Sequence, residues 1–170
     1  LFLVQASIER CNLQLQYFSS ELGTLESCSS NGKHLSTRWA GKEKVHEAIE
    51  AYIRLPSAQD VHEAQNILNK AHTLSLHFIL ADRHGEIRYS QAGTIPKRPQ
   101  GWSGLYPGES YSDKKWSGFI DGRELPKAMA ENGILVSANE ARPGTQNEIL
   151  STLSQPFYRY DRIKMLLMAS

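Results

Sequence analysis

The feature that most constrains the fold of this sequence is a run of alternating apolar residues that ends at a turn. The run consists of Leu74, Leu76, Phe78 and Leu80. A period of two places these side chains on one face of a β-strand. The turn that follows ends at Gly85, which accepts a positive φ without steric cost. Apolar residues resume at positions 87 and 89, so the sequence predicts an antiparallel hairpin over residues 74–90.

The chain before this hairpin predicts strands followed by helices. Residues 1–41 combine period-two alternation at 13–17 with Asn31-Gly32, a strong hairpin signal, so we expect three or four antiparallel strands. Residues 42–72 then predict a helical hairpin, which Pro56 divides. Ser57 and Asp60 resemble a capping box for its second helix. Two sets of apolar residues fall at helical spacing: Val45, Ala48, Ile49, Tyr52 and Ile53 in the first helix, and Val61, Ala64, Leu68 and Ala71 in the second.

The rest of the chain predicts one long irregular segment and a mixed C-terminal part. Residues 73–131 hold the hairpin and a loop rich in Gly, Pro, Trp and Ser. A loop of that length is expected either to be functional or to pack on a partner. Within residues 132–170 we expect a short buried strand at 134–137 and helices at 147–153 and 158–168. Local antiparallel pairing combined with helices predicts the α+β class, and residues 1–170 are interpreted as a single fragment.

Composition excludes several classes of function. The 170 residues carry a formal net charge of +1, from 19 basic and 18 acidic residues, so no basic patch for nucleic acid is expected. No apolar run approaches the roughly 20 residues that span a bilayer, so no membrane partner is expected. Cys11 and Cys28 could form one disulfide or remain two buried thiols. Leu1 is expected to be an internal position of a longer protein.

Most candidate chemical residues have a simple structural interpretation. The six histidines show neither metal-ligand nor triad spacing and are interpreted as structural. Asp82 is expected to fix the hairpin by accepting backbone N–H groups. The aromatic residues of the long loop could line an apolar pocket or pack the loop down; they are Trp102, Tyr106, Tyr111 and Trp116. Asn139 follows a short apolar segment, where its amide could cap a turn or stabilise an oxyanion.

A series of short motifs resembles a known family. In order, they are Arg38-Trp39-Ala40-Gly41, Ala81-Asp82 with Gly85, Ile87 and Tyr89, Gly93 with Pro96 and Arg98, Trp116-Ser117-Gly118, Glu124-Leu125-Pro126, Val136-Ser137-Ala138-Asn139, and Tyr158-Arg159-Tyr160-Asp161-Arg162-Ile163. Each motif is weak alone, but their shared order resembles the β-subunit of penicillin acylase-type amidohydrolases. The resemblance extends from about residue 13 to residue 167.

The resemblance implies a fold and a set of roles. The fold would be part of the αββα sandwich of N-terminal-nucleophile (Ntn) hydrolases. A serine at the start of the β-subunit, absent from this segment, would attack the amide carbonyl, with its own α-amine as the base. Asn139 matches the family's oxyanion donor, and Arg162 the orienting arginine, with Arg159 as the other candidate. This segment would thus supply oxyanion and pocket residues and be inactive by itself.

The same resemblance implies the partners. They would be the α-subunit, the N-terminal part of the β-subunit and a small N-acyl substrate, such as a β-lactam with its side chain or an acyl-homoserine lactone. No cofactor is expected; the structural calcium of many family members finds only Glu148 as a candidate ligand here. The whole protein would be periplasmic or extracellular. The alternative is a binding or scaffolding module with the same fold and no catalysis.

Overall fold

The computed structural model describes residues 2–8, 13–20, 23–28, 34–42, 44–108, 114–142, 144 and 149–169. The chain divides into two compact units. The first consists of residues 1–39 and 107–115, and the second of residues 40–106 and 116–170.

The first unit contains a four-stranded antiparallel sheet, which confirms the expected strands before residue 41. Its strands pair in chain order with their sequence neighbours. They are β1 (Phe2–Ile8), β2 (Leu13–Ser20), β3 (Gly23–Cys28) and β4 (His34–Thr37). The proposed pairing of Cys11 and Cys28 lies outside what is described, because Cys11 and the side chain of Cys28 are not among the described positions.

The second unit begins with the predicted helical hairpin. It comprises α1 (Val45–Arg54), a 3-10 turn (Leu55–Ser57) and α2 (Val61–Leu68). The expected apolar face of α2 is buried, but that of α1 is only partly so. Ala48 and Ala51 are the buried residues of α1, whereas Ile53 is 73% exposed. Tyr52 packs against the core, so the predicted stripe of α1 was right for Ala48 and Tyr52 and wrong for Val45, Ile49 and Ile53, which are exposed.

The cap of α2 lies three residues beyond the predicted one. Asp60 is the N-cap, and its carboxylate accepts a hydrogen bond from the Glu63 backbone N–H (2.8 Å). Glu63 in turn accepts from the Gln59 N–H (2.8 Å). Ser57 instead donates its hydroxyl to the Arg54 carbonyl (2.7 Å), at the end of the preceding helix. The expected pair of Ser57 and Asp60 is thus replaced by Asp60 and Glu63, which satisfy two orphan amides.

The second sheet is built on the predicted hairpin. Strands β5 (Leu76–Ala81) and β6 (Ile87–Ala92) are antiparallel, and β7 (Lys127–Met129) pairs with β6. On one face, Phe78 and Leu80 pack against the core formed with α1 and α2. As predicted, Asp82 fixes the turn: its Oδ1 accepts from the backbone N–H groups of His84 (2.8 Å) and Glu86 (3.2 Å).

Two parts of the long segment after β6, residues 93–106 and 116–131, belong to the second unit and contact each other there. Around an isolated bridge between Pro96 and Phe119, the Ile120 N–H donates to the Ile95 carbonyl (2.9 Å) and the Lys97 N–H donates to the Gly118 carbonyl (2.9 Å). Ile95, Ile120, Leu125 and Leu150 form a second small core. Trp116 packs edge-on against Phe119, and the Trp102 indole donates to the Tyr106 carbonyl (3.1 Å). These contacts favour the packing interpretation of both tryptophans; Tyr111 lies outside the described residues.

The C-terminal part differs from the prediction in two elements. Residues 134–137 form no strand: a single bridge joins Glu131 to Ile134, and side chains bind the backbone that follows. Of the helix expected at 147–153, residues 149–153 are described and are not helical. Helix α3 (Phe157–Met168) confirms the last predicted helix.

Helices and antiparallel sheets together confirm the α+β class. The αββα sandwich remains a prediction. Among the described residues, none of the helices has both the length and the apolar character to cross a bilayer.

Candidate functional site

Asn139 lies at the tip of a tight turn that follows the buried residues Val136 and Ala138. Its backbone is left-handed, with φ 63°. Asparagine tolerates this region better than most residues because its short polar side chain adds little steric strain there. The side chain is exposed and makes no hydrogen bond to another described residue. The turn thus presents a side-chain amide to the outside of the unit.

The backbone of the turn is held on its C-terminal side by the segment leading into α3. The Gln155 N–H donates to the Asn139 carbonyl (2.7 Å), within a parallel bridge between Glu140 and Gln155. From the first turn of α3, the Arg159 guanidinium donates to the Ala138 carbonyl (3.2 Å). Two consecutive carbonyls of the turn are therefore fixed from the same direction.

A buried ion pair holds the other side of the turn. Glu140 is 2% exposed; its Oε2 accepts from the Ala138 N–H (2.7 Å), and its Oε1 lies 2.6 Å from Arg142 Nη2. The same Arg142 nitrogen donates to the Val136 carbonyl (3.0 Å). Burying a charge is costly unless it is paired and hydrogen-bonded; here Glu140 Oε2 and Arg142 Nη2 have hydrogen-bond partners, whereas Glu140 Oε1 and Arg142 Nε have none among the described residues. The pair therefore makes the turn rigid on both sides of Asn139.

The turn is also joined to the second sheet. The Arg142 guanidinium stacks on the ring of Tyr89, 4.0 Å from its centroid, and Tyr89 is fully buried. The Tyr89 hydroxyl lies 3.1 Å from His77 Nδ1, and that nitrogen lies 3.1 Å from Ser137 Oγ. From behind, the Gln65 side chain donates to the Tyr89 carbonyl (3.1 Å). Strands β5 and β6 thus contact the turn through polar groups.

The ionisable groups of this network have shifted pKa values. Burial alone would raise the pKa of Glu140, but the Ala138 N–H and the Arg142 charge outweigh burial, so its pKa is below the usual value. Burial raises the pKa of Tyr89 to about 12. Burial, helped by Arg142 and opposed by Glu140, lowers the pKa of His77. Near neutral pH the network therefore holds an ionised Glu140, a neutral His77 and a neutral Tyr89.

The structure separates the two arginines that the sequence offered. Arg159 contacts the turn, whereas Arg162 is exposed and makes no hydrogen bond or ion pair to any residue that the structure describes. The two positions lie three residues apart, on nearby faces of α3. The geometry therefore brings Arg159, the second candidate, to Asn139 and does not bring Arg162 there.

Sequence reasoning missed Glu140, Arg142, Tyr89 and Gln155 as parts of this site. The one available signal was Glu140-Ala141-Arg142 directly after Asn139, since opposite charges two residues apart can both turn back on a tight loop. Contacts with Tyr89 and Gln155 depend on tertiary packing and have no local signal.

A separate cavity of about 570 Å³ lies beside the C-terminal end of α2. Within its lining, Arg123 bonds Asp121 through two nitrogens (2.8 and 2.9 Å); the lining residue His72 lies 3.4 Å from Glu47, which does not line the cavity. Neither Asn139 nor Arg162 lines this cavity. Among the described residues, no three His, Cys, Asp or Glu side chains are grouped as metal ligands. Glu148, the candidate calcium ligand, lies outside the described residues.

The helices and antiparallel sheets of the described residues define an α+β chain. A solved structure of thermostable penicillin G acylase from Alcaligenes faecalis matches 99% of this chain with a TM-score of 0.78. Sequence identity is 17%, so this likeness shows a shared fold, and the chain spans 31% of that protein's chain. The model of the penicillin amidase family matches residues 7–170. The chain therefore belongs to the penicillin amidase family, whose members are amide hydrolases.

Proposed function

We propose that this chain is a segment of a penicillin acylase-like amidohydrolase that cleaves N-acyl amides, and that Asn139 donates to the oxyanion. The observation that carries the proposal is the turn itself. It presents an exposed amide, while side chains and an adjoining segment hold the backbone before Asn139 and at Asn139 itself. An oxyanion donor must be fixed before negative charge develops, because reorganisation during the reaction would cost the stabilisation it provides.

The proposed chemistry places Asn139 beside the reacting carbonyl. Family membership supports an attack by the amino-terminal serine of the β-subunit, with its α-amine as the base. The carbonyl oxygen then gains negative charge, and the Asn139 side-chain N–H group donates to it. Release of the amine restores the carbonyl as an acyl-enzyme, and water hydrolyses that ester. Both steps pass through an oxyanion at the same place, so one donor serves twice.

Arg159 is proposed as the orienting arginine. Its guanidinium is bound to the Ala138 carbonyl, one residue before Asn139, and its remaining N–H groups can reach the asparagine side chain or the substrate. Arg162 stays the competing candidate from the sequence. The matched variants Arg159→Met and Arg162→Met separate them: a lower kcat is expected for the first and a near-normal kcat for the second.

The remaining partners of the proposal come from the size of the relatives. The chain spans about a third of the matched structure's chain, which supports partner segments that supply the serine and part of the acyl pocket. Those segments would also help to determine which acyl group and which amine the enzyme accepts. N-terminal sequencing of the mature full-length protein tests this point: a subunit that begins with serine upstream of this segment is expected.

The central test replaces Asn139 in the full-length protein. Asn139→Ala should lower kcat by about 10²–10³-fold, as for other side-chain oxyanion donors, on a panel of N-acyl amides. Asn132→Ala is the matched control, because Asn132 is also exposed and left-handed, with φ 52°. Both variants place alanine in strained backbone, but only the first removes the proposed donor.

Two results would count against the proposal. Normal turnover of Asn139→Ala would remove the oxyanion role. A full-length protein without a processed serine terminus, which binds N-acyl compounds without cleaving them, would favour the non-catalytic binding module.

A further inference from the structure

His77 occupies a special place on β5. Its neighbours Phe78 and Leu80 alternate toward the core beneath α1 and α2, so His77 lies on the opposite face of the sheet. That face carries Tyr89 of β6 and is approached by Ser137 of the Asn139 turn. His77 is thus a residue of the sheet that contacts the turn directly.

One nitrogen of His77 makes both contacts. Nδ1 lies 3.1 Å from Ser137 Oγ and 3.1 Å from the Tyr89 hydroxyl, and the rings of His77 and Tyr89 meet edge to face, with centroids 5.6 Å apart. When the proton of neutral His77 is on Nε2, the lone pair of Nδ1 accepts from the two hydroxyls, which share it. Because Tyr89 also supports Arg142, the imidazole connects the side chain of Ser137 to the buried ion pair.

We propose that His77 is a positioning residue for the reaction: its Nδ1 bridges Ser137 and Tyr89 and thereby fixes the turn that presents Asn139. The inference rests on the proposed function of Asn139 for its catalytic consequence. Ser137 lies two residues before Asn139. Its neighbours are Val136, whose carbonyl accepts from Arg142, and Ala138, whose N–H donates to Glu140. Loss of the bridge leaves that backbone held by the ion pair alone on this side.

The charge of His77 is coupled to the same turn. The groups that face it are Tyr89 from β6 and Ser137, Glu140 and Arg142 from the turn. A protonated His77 would add a second cation beside Arg142 and would commit Nδ1 to donation only. Both hydroxyls would then lose the Nδ1 lone pair as their acceptor. Protonation is therefore expected to loosen the turn, which gives turnover an acidic limb that depends on His77.

The test compares two substitutions at this position in the full-length protein. His77→Asn places an amide oxygen or nitrogen where Nδ1 lies and carries no titratable group, so it can keep the bridge. His77→Leu has similar bulk and removes it. His46→Leu makes the same chemical change at an exposed histidine of α1 and is the matched control.

Two readouts distinguish positioning from general stability. The first is the pH profile of kcat and KM on an N-acyl amide. We expect His77→Leu to lower kcat about 10- to 100-fold, as small misplacements of catalytic groups do, with a smaller change in KM. His77→Asn should keep kcat within about threefold of the wild type and lose the His77-dependent part of the acidic limb. The second readout is hydrogen exchange of the peptide that contains the Ala138 N–H, which should quicken in His77→Leu only.

The outcomes separate this inference from the proposed function. Normal kcat and normal exchange in His77→Leu would overturn the bridge. Fast exchange with normal kcat would overturn the positioning role. The activity of Asn139→Ala then shows whether the proposed function has failed as well. If Asn139→Ala is also fully active, the proposed function has failed; if it is inactive, only the inference about His77 has failed. Equal loss of kcat in His77→Leu and His77→Asn would likewise overturn the role of Nδ1.

Discussion

Replacing Glu140 by glutamine should destabilise the second unit far more than the same change at an exposed glutamate. Glu140 is 2% exposed and holds both the Ala138 N–H (2.7 Å) and the Arg142 guanidinium (2.6 Å). Removing one member of a buried pair costs about 3–5 kcal/mol. The lower end applies here, because Arg142 is 21% exposed and keeps the Val136 carbonyl and the Tyr89 ring. Glutamine keeps an acceptor for the amide, so we expect a value near 3 kcal/mol for Glu140→Gln and a larger one for Glu140→Ala.

The control is Glu50→Gln on α1. Glu50 lies 3.5 Å from Arg54, and both side chains are more than half exposed, at 69% and 57%. Exposed pairs contribute about 0–1 kcal/mol, since water screens them and the side chains lose freedom. The two substitutions therefore make the same chemical change in pairs that differ mainly in burial.

Native-state hydrogen exchange of the Ala130 N–H supplies the assay. This amide donates to the carbonyl of Ile87 (3.0 Å), the first residue of β6 and two residues before Tyr89. Its exchange therefore reports opening of the sheet beside the Glu140–Arg142 pair. A loss of about 3 kcal/mol speeds exchange roughly 100-fold or more, at about 1.4 kcal/mol per factor of ten. Glu50→Gln should change it by less than about fivefold. Similar rates in the two variants would refute the argument that burial makes this pair important.

Two further outcomes follow from the same unit. Gly93→Ala should cost roughly 3 kcal/mol or more, because φ is 133° and the new Cβ would lie 2.6 Å from Leu74 O and Ser75 Cα. Gly85→Ala is the control: its φ is 85°, but the new Cβ would meet open space, so it should cost about 1 kcal/mol. Equal losses of stability in the same exchange assay would contradict the clash at Gly93. The pKa of His77 is lowered by burial, so the folded state binds fewer protons than the unfolded state, and stability should fall as the pH drops from about 6.5 through the folded pKa. His77→Asn should show a smaller fall in exchange protection over that range, and an unchanged fall would exclude His77 as its source.

The sequence predicted those parts of the fold whose signals are local. The β5–β6 hairpin was predictable because alternation, Asp82 and Gly85 act within about fifteen residues. Strand β7 was not, since its three residues pair only with β6, far away in sequence. Residues 134–137 were predicted as a strand because they are largely apolar. Val136 is buried as expected, but its carbonyl accepts a hydrogen bond from the Arg142 side chain and not from the backbone of a neighbouring strand.

The site shows the same division. Asn139 was found as a candidate from its place after an apolar segment and from the order of motifs, but the arginine beside it was not resolved. Arg159 and Arg162 occupy similar positions in a helical pattern, so periodicity cannot tell which one reaches the turn. Contact with the Ala138 carbonyl depends on where the chain enters α3, and that is set by the bridge between Glu140 and Gln155.

The Asn139 turn lacks a strand ladder, so its geometry depends on side chains from distant parts of the chain. Glu140 and Arg142 act from within the turn, His77 and Tyr89 from the sheet, and Arg159 from α3. The backbone hydrogen bonds of a strand ladder remain when a side chain is substituted. In this network, a substitution removes every hydrogen bond that the side chain made to the turn. Changes at His77 and Glu140 should therefore be non-additive despite their separation by 63 positions in sequence, because both act on the same short backbone. We therefore expect the position of the Asn139 side chain to be sensitive to substitutions at residues that do not contact it.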